Sequence, residues 1–365
     1  MDSPRRASCE LVLITPYYHP ITGGVTTYVS GLAGELSRRG VKVTVLTRQG
    51  EEAPGVLRGP SGSRRFIRWC RQAVRRISPE VIHSHGHWHS LAGAFSRFGQ
   101  PLARRVVFTV HTIPDVPIHL RLPFRRLLRR ADVVTFVSET SKQAFTDKFG
   151  PLPRSAVVFP GVRDIARGAA LIRPPAGAGF RISAMSMMSW ARKVEGIRLL
   201  LEATSRLSRA LPDVSLTLIG DGEFRSDLEA HAQRLGIEDR VTFAGLVQDP
   251  GDMLSNSDVF CHLSFMDSLP QAVIEAMSLA LPVVVNEGAL DDAIFRRPES
   301  GIVRCPATID GVVQALSRLA SSSEDRRQRG AKSQEFVDRV FSWRQSGEKF
   351  WELYGWGSVA ASDEI

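Results

Sequence analysis

What most restricts this chain is an alternation that it runs through twice. Short apolar runs at residues 10–14, 41–46, 81–85, 106–111, 133–138 and 157–159 are separated by helical patterns such as 26–38 and 64–76. A strand, a crossover helix and a further strand, repeated, predict a parallel sheet covered by helices. The Pro/Gly-rich stretch 160–179 has no apolar period and reads as an interdomain linker. The alternation then restarts, with strands at 181–185, 214–219, 241–243, 259–263, 282–286 and 302–305, and helices near 196–209, 224–235, 270–279 and 309–321. A last segment, 336–354, is helical in pattern. The expected class is α/β, with two Rossmann-like parallel-sheet domains over 1–170 and 180–339. Two such sheets in tandem predict a cleft at the carboxyl ends of their strands, where open sheets bind ligands.

The 365 residues suffice for two cores. No run of eighteen apolar residues occurs, and Met-Asp-Ser-Pro-Arg-Arg leads into a strand and not into a signal core, so neither a membrane span nor secretion by that route is expected. Cys9, Cys70, Cys261 and Cys305 are isolated, which fits a reducing cytoplasm. Charge is divided unevenly. Residues 1–180 hold 27 Lys and Arg against 11 Asp and Glu, a net +16, while 181–365 hold 20 against 27, a net −7. The first half therefore faces something anionic: a membrane, a nucleic acid or a phosphorylated acceptor.

The sharpest motif is Asp267-Ser268-Leu269-Pro270-Gln271-Ala272-Val273-Ile274-Glu275-Ala276-Met277, followed by Leu-Pro and the strand Val283-Val284-Val285. Pro270 suits the first turn of a helix, which brings the amides of Ser268 and Leu269 to its positive end, where phosphate or sugar oxygens bind. Glu275 lies on an otherwise apolar segment, and an acid there is costly unless it accepts hydrogen bonds, as from ribose hydroxyls. Gly23-Gly24 opens the first helix and lets backbone approach a diphosphate. The absence of Gly-x-Gly-x-x-Gly at this place counts against a dehydrogenase. Arg192 and Lys193, in the loop after the first strand of the second half, offer cations for a departing diphosphate. His83 and His85 share a strand face, His87 and His89 follow in the turn, and His111 ends the next strand. No carboxylate or cysteine clusters with these histidines in sequence, so no metal is expected.

As an ordered set from Val12 to Gly301, these motifs resemble the retaining family-4 glycosyltransferases, whose hallmark is an acid, seven residues and Glu-Ala-Met before a turn and strand. The resemblance implies the GT-B fold, two Rossmann-like domains facing each other across a cleft, with the helix at about 340–365 packing back on the first. It implies that Glu275 binds the nucleotide ribose, and that Asp267 with the amides of Ser268 and Leu269 holds the sugar and distal phosphate. His111 would contact the donor sugar, Arg192 and Lys193 the leaving diphosphate, and Gly23, Gly24 and Gly222 the donor. Val247, in Phe243-Ala244-Gly245-Leu246-Val247, would sit near the base. This sequence departs from the pattern at Asp267, where the family usually has Glu, at Ser268 and Ala280, where it has Gly, and at Glu195, where it has Lys.

Two segments remain outside that pattern. Residues 64–77 carry six arginines and 121–130 five. Ile67, Cys70, Val74 and Ile77 fall at helical spacing and are expected to face the core, leaving the arginines either to solvent or to an anionic bilayer. No recognition module or stacking pattern accompanies the charge, so no nucleic-acid partner is expected. The expected activity is a metal-independent, cofactor-free, retaining transfer from a UDP-sugar, ahead of a GDP-sugar, to an acceptor hydroxyl. A lipid-linked acceptor met by a cytoplasmic protein on the inner face of the membrane fits the basic half. The rivals are a GT-B scaffold that has lost turnover and a sugar-nucleotide epimerase, which needs no basic acceptor domain.

Overall fold

A computed structural model describes residues 9–19, 23–162, 179–265, 269–290 and 293–357. The chain divides into two compact units, Met1–Gly161 with Phe341–Ile365, and Val162–Val340. Most of the stretch read as a linker, 163–178, lies outside the described residues.

The first unit runs β1 (Glu10–Tyr17), α1 (Gly24–Arg38), β2 (Lys42–Gln49), β3 (Val56–Arg58), α2 (Ser63–Ile77), β4 (Val81–His85), α3 (Trp88–Gly93), β5 (Arg105–Val110), α4 (Arg121–Arg130), β6 (Val133–Phe136), α5 (Glu139–Phe149) and β7 (Ser155–Val157). Its strands are all parallel, in the order β3-β2-β1-β4-β5-β6-β7. Helices on both faces account for the unbroken burial of Leu11 to Ile14 and of Val106 to Val110. In α2 the core residues are Phe66, Cys70 and Val74. Ile67, expected to point inward, is half-buried at the helix flank, because Phe66 and not Ile67 continues the four-residue stripe of Cys70 and Val74.

The second unit runs β8 (Phe180–Met185), α6 (Ala191–Leu207), β9 (Val214–Ile219), α7 (Arg225–Arg234), β10 (Val241–Gly245), α8 (Gly251–Ser255), β11 (Val259–His262), α9 (Gln271–Ser278), β12 (Val283–Asn286), β13 (Val303–Cys305), α10 (Ile309–Ser321) and α11 (Ser323–Val340). Its parallel order, β10-β9-β8-β11-β12-β13, repeats that of the first sheet. Both orders reverse beside their first strand, between β1 and β4 in one unit and β8 and β11 in the other. Ligands of open sheets bind at the carboxyl ends of the strands at such points.

The predicted helix 336–354 is two helices. α11 ends at Val340, and α12 (Trp343–Leu353) starts beyond Phe341 and the extended Ser342, because the chain passes there from one unit to the other. Phe336 and Val337 are buried in the second unit, Trp343 and Phe350 in the first. The Trp343 indole fills the space where a Cβ on Gly31 or Gly161 would lie, and its ring meets Tyr28 edge-on at 5.4 Å. Ser346 Oγ donates to the Phe159 carbonyl at 2.6 Å and Trp356 Nε1 to Glu80 Oε2 at 2.9 Å. α9 ends in a Schellman turn, with the Ala280 amide donating to the Met277 carbonyl and the Leu281 amide to that of Ala276. Ala280 consequently holds φ +54°, a left-handed angle that glycine adopts at less cost.

Candidate functional site

In the second unit the switch point gathers the segments after β8 and β11. Arg192 and Lys193, expected in a loop, form the first turn of α6, which begins at Ala191 behind the N-cap Trp190. No acidic residue occupies that turn. Two cations at the positive end of a helix oppose its dipole, each by about 0.3–1 kcal/mol, unless an anion lies before them. Arg192 is exposed, Lys193 half-buried, Glu195 exposed, and the Trp190 ring stands 59% open at the same helix end. One turn further on, Gly196 lies so close to the Leu263 carbonyl that a Cβ there would overlap it. This ties α6 to the segment leaving β11.

That segment is fixed by a residue that the sequence reading missed. The buried amide of Asn286, at the end of β12, accepts from the Ser264 N–H at 2.8 Å and donates to the Ser264 carbonyl at 3.1 Å. Its signal in the sequence was one polar residue ending an all-valine strand. Asp267 and Ser268 lie outside the described residues. Leu269 is half-buried, and Pro270 is the N-cap of α9 and not its first helical residue. Glu275 is only 3% exposed, on a helix whose neighbouring positions Val273, Ile274, Ala276 and Met277 are buried and apolar.

Gly222 has φ +157°, and a Cβ there would run into Met188 and Ser189. The Met188 N–H donates to the Asp221 carbonyl at 2.9 Å and the Phe224 N–H to that of Met188 at 3.0 Å. Gly222 thus locks the segment after β9 against the one leading to Arg192. Val247 follows β10 and is half-buried.

In the first unit, Gly23 is the N-cap of α1 and Gly24 its first residue, both exposed. Thr26 Oγ1 donates to the Gly23 carbonyl at 2.7 Å and accepts from its N–H at 3.1 Å, and the space where a Gly23 side chain would stand is open. On the other side of the switch point, His83 and His85 are fully buried with ring centroids 4.1 Å apart. His83 bonds Tyr354 Oη at 2.7 Å and Thr109 Oγ1 at 2.6 Å, while His85 Nδ1 lies 3.2 Å from Nε2 of His111. The His111 ring meets Tyr28 edge-on at 4.8 Å. Burial, with the neighbouring imidazoles second, holds His83 and His85 well below the usual imidazole range. Burial, then His87, brings His111 down to about 3. These rings are neutral at pH 7, able to give or take a hydrogen bond but not to neutralise a phosphate. His87 caps α3, and His89 lies inside that helix and not in the expected turn. Among the described residues no three His, Cys, Asp or Glu are placed to hold a metal, and no helix is long and apolar enough to cross a membrane.

Residues 185–336 match the family model described as Glycosyl transferases group 1, and residues 22–165 the one described as Glycosyltransferase Family 4. A phosphatidylinositol N-acetylglucosaminyltransferase polypeptide of Arabidopsis thaliana is 23% identical, over 98% of this chain and 81% of its own. The GDP-mannose-dependent alpha-(1-6)-phosphatidylinositol monomannoside mannosyltransferase of Mycolicibacterium smegmatis is 25% identical, over 94% of this chain and 97% of its own. Among solved structures, sucrose-phosphate synthase from Thermosynechococcus elongatus matches with a TM-score of 0.78 at 19% identity, covering 95% of this chain and 98% of that one. The shared fold is GT-B, with two Rossmann-like parallel-sheet domains.

Proposed function

We propose, from the premise that this chain belongs to the family-4 glycosyltransferases, that it transfers a sugar from a nucleotide diphosphate to an acceptor hydroxyl with retention and without a metal. Use of nucleotide sugars goes with the family; the stereochemistry, donor and metal independence are our reading. The observation that carries it is the pair Arg192 and Lys193 in the first turn of α6, at the positive end of that helix, where anions bind. A donor diphosphate before this turn meets two side chains and the positive end of the helix. These contacts strengthen as the glycosidic bond breaks and charge collects on the departing phosphate. Glu275, buried on α9, accepts from the ribose hydroxyls. Asp267 and the amides of Ser268 and Leu269 hold the sugar and the distal phosphate. The departing phosphate takes the acceptor proton on the same face, so the nucleophile needs no separate base. His111, neutral, is suited to hydrogen-bonding a sugar hydroxyl and not to neutralising a phosphate.

The donor is a UDP-sugar or a GDP-sugar, and the two relatives named for phosphatidylinositol support a lipid-linked acceptor. The test is a panel of UDP- and GDP-sugars incubated with the protein in EDTA, with released nucleotide measured. Release from one donor is expected. Loss of release in EDTA with rescue by manganese would overturn metal independence, and tight donor binding without any release would identify a scaffold.

A further inference from the structure

We infer that the groove framed by α2, α3 and α4 in the first unit docks on the phosphate headgroups of an anionic bilayer. It is independent of the donor chemistry in the second unit. The groove encloses about 900 Å³. Arg64, Arg68 and Arg75 enter it from α2, Arg126 and Arg130 from α4, and no carboxylate lines it. Arg71 is engaged in the fold, donating to the carbonyls of Phe95 at 2.7 Å and Ala92 at 3.3 Å, and Arg130 donates to that of Gly99 at 2.9 Å. Arg64, Arg68, Arg75 and Arg126 form no ion pair among the described residues, and neither α2 nor α4 contains an Asp or Glu. Burial and then the charge of Arg75 lower the pKa of Arg71, as expected where like charges crowd. Such a cluster repels itself until an anion arrives.

Charge alone would suit any soluble polyanion. The apolar residues decide for a bilayer. The three most exposed large hydrophobic side chains among the described residues are Ile118 at 79%, Phe98 at 74% and Leu122 at 70%. All three stand on the segments that build this groove: the turn after α3, the single 3-10 turn before α4, and α4 itself. Phe98 lines the groove directly, with the Arg97 guanidinium 4.7 Å from its ring centroid. A dissolved phosphate compound would bind the arginines but leave these side chains in water. A bilayer surface takes both, with headgroups on the guanidinium groups and the three apolar side chains below them.

The test is co-sedimentation of the full chain with phosphatidylcholine vesicles with and without phosphatidylglycerol, across a salt series. Binding is expected only with phosphatidylglycerol and should weaken as salt shortens the Debye length to about 8 Å at physiological strength. Arg68→Glu with Arg126→Glu should lower partitioning more than about 20-fold, at roughly a factor of five per basic residue. Phe98→Ser with Leu122→Ser should lower it about tenfold or more, also at high salt where charge is screened. Both pairs are exposed and should keep the parent's thermal melt and nucleotide binding. Equal, negligible binding to both vesicles at low salt would overturn the inference. So would wild-type sedimentation of the Phe98 and Leu122 variant, since apolar insertion would then be absent. Tripolyphosphate bound in calorimetry without any vesicle binding would reassign the groove to a soluble phosphate compound.

Discussion

At the switch point of the first unit stand imidazoles that burial keeps neutral, packed on tyrosines and threonines. At the same place in the second unit stand Arg192, Lys193 and, one helix away, the buried Glu275. The strand orders are equivalent, so the backbone does not account for the difference. Two copies of one topology present different chemistry at the same place. The second carries ionic groups there, whereas the first offers uncharged hydrogen-bonding groups. The excess positive charge of the first half is placed elsewhere, on the flank formed by α2 and α4.

The largest effect should come from removing the ionic side of this contrast. Arg192→Ala with Lys193→Ala is expected to lower kcat by about 10²–10³, the usual cost of losing a group that stabilises developing charge, with a smaller loss of donor affinity. Steady-state kinetics that show lost affinity with kcat preserved would reduce the pair to ground-state binding.

Glu275→Ala should weaken donor binding by one to two decades, for the loss of a charged acceptor of about 1.5–3 kcal/mol. Calorimetry that finds unchanged nucleotide affinity in a folded variant would remove Glu275 from the site.

The neutral side is tested by acid. The unfolded chain takes up protons near pH 6.5 at positions where the folded first unit resists them. The stability contributed by neutral His83 and His85 is therefore whole above about pH 6.5 and is lost as pH falls toward their folded values. The expected slope is about 1.4 kcal/mol per pH unit for each proton that the unfolded chain binds in excess. Trp190 is the one tryptophan of six in the second unit, so urea unfolding followed by tryptophan fluorescence reads mainly the first. His85→Gln should flatten the slope, and an unchanged slope would show that other groups set it.

The smallest effect should come from Ala280→Gly, which relieves a left-handed alanine and should stabilise the second unit by about 0.5–1 kcal/mol in urea. A destabilised variant would show that the methyl group's packing outweighs the backbone strain.

The alternation of apolar runs was enough to read both sheets, because strands buried on both faces leave continuous apolar stretches. The edge strand β3 was not read, since of its three residues only Val56 is buried and Leu57 and Arg58 are exposed. The early start of α6 was hidden by Arg192, Lys193 and Glu195, whose charges mask the helical period that resumes at Val194 and Ile197. In the candidate site, Glu275 was legible because a charge on an otherwise apolar segment is costly and stands out, whereas Arg192 and Lys193 were read as loop residues and their place in the opening turn of a helix was not. The Asn286 clamp was not, since its two bonds reach backbone 22 residues away and leave no local pattern. The glycine replaced by Ala280 was visible as a departure, but only the Schellman turn explains why glycine suits that position.

Because α12 packs on Tyr28 and Gly31 of α1 while following the second unit in the chain, the second unit is an insertion within the first. On a ribosome this imposes an order of birth. At about 5–20 residues per second, roughly ten to forty seconds separate the emergence of Gly161 from that of Trp343. Throughout that interval the first unit lacks the indole that fills the space beside Gly31 and the Tyr354 hydroxyl that satisfies His83. The second unit, Val162–Val340, has been synthesised whole by then. The older half of the chain is thus the younger fold, and it waits with an uncovered apolar surface for its own final helix.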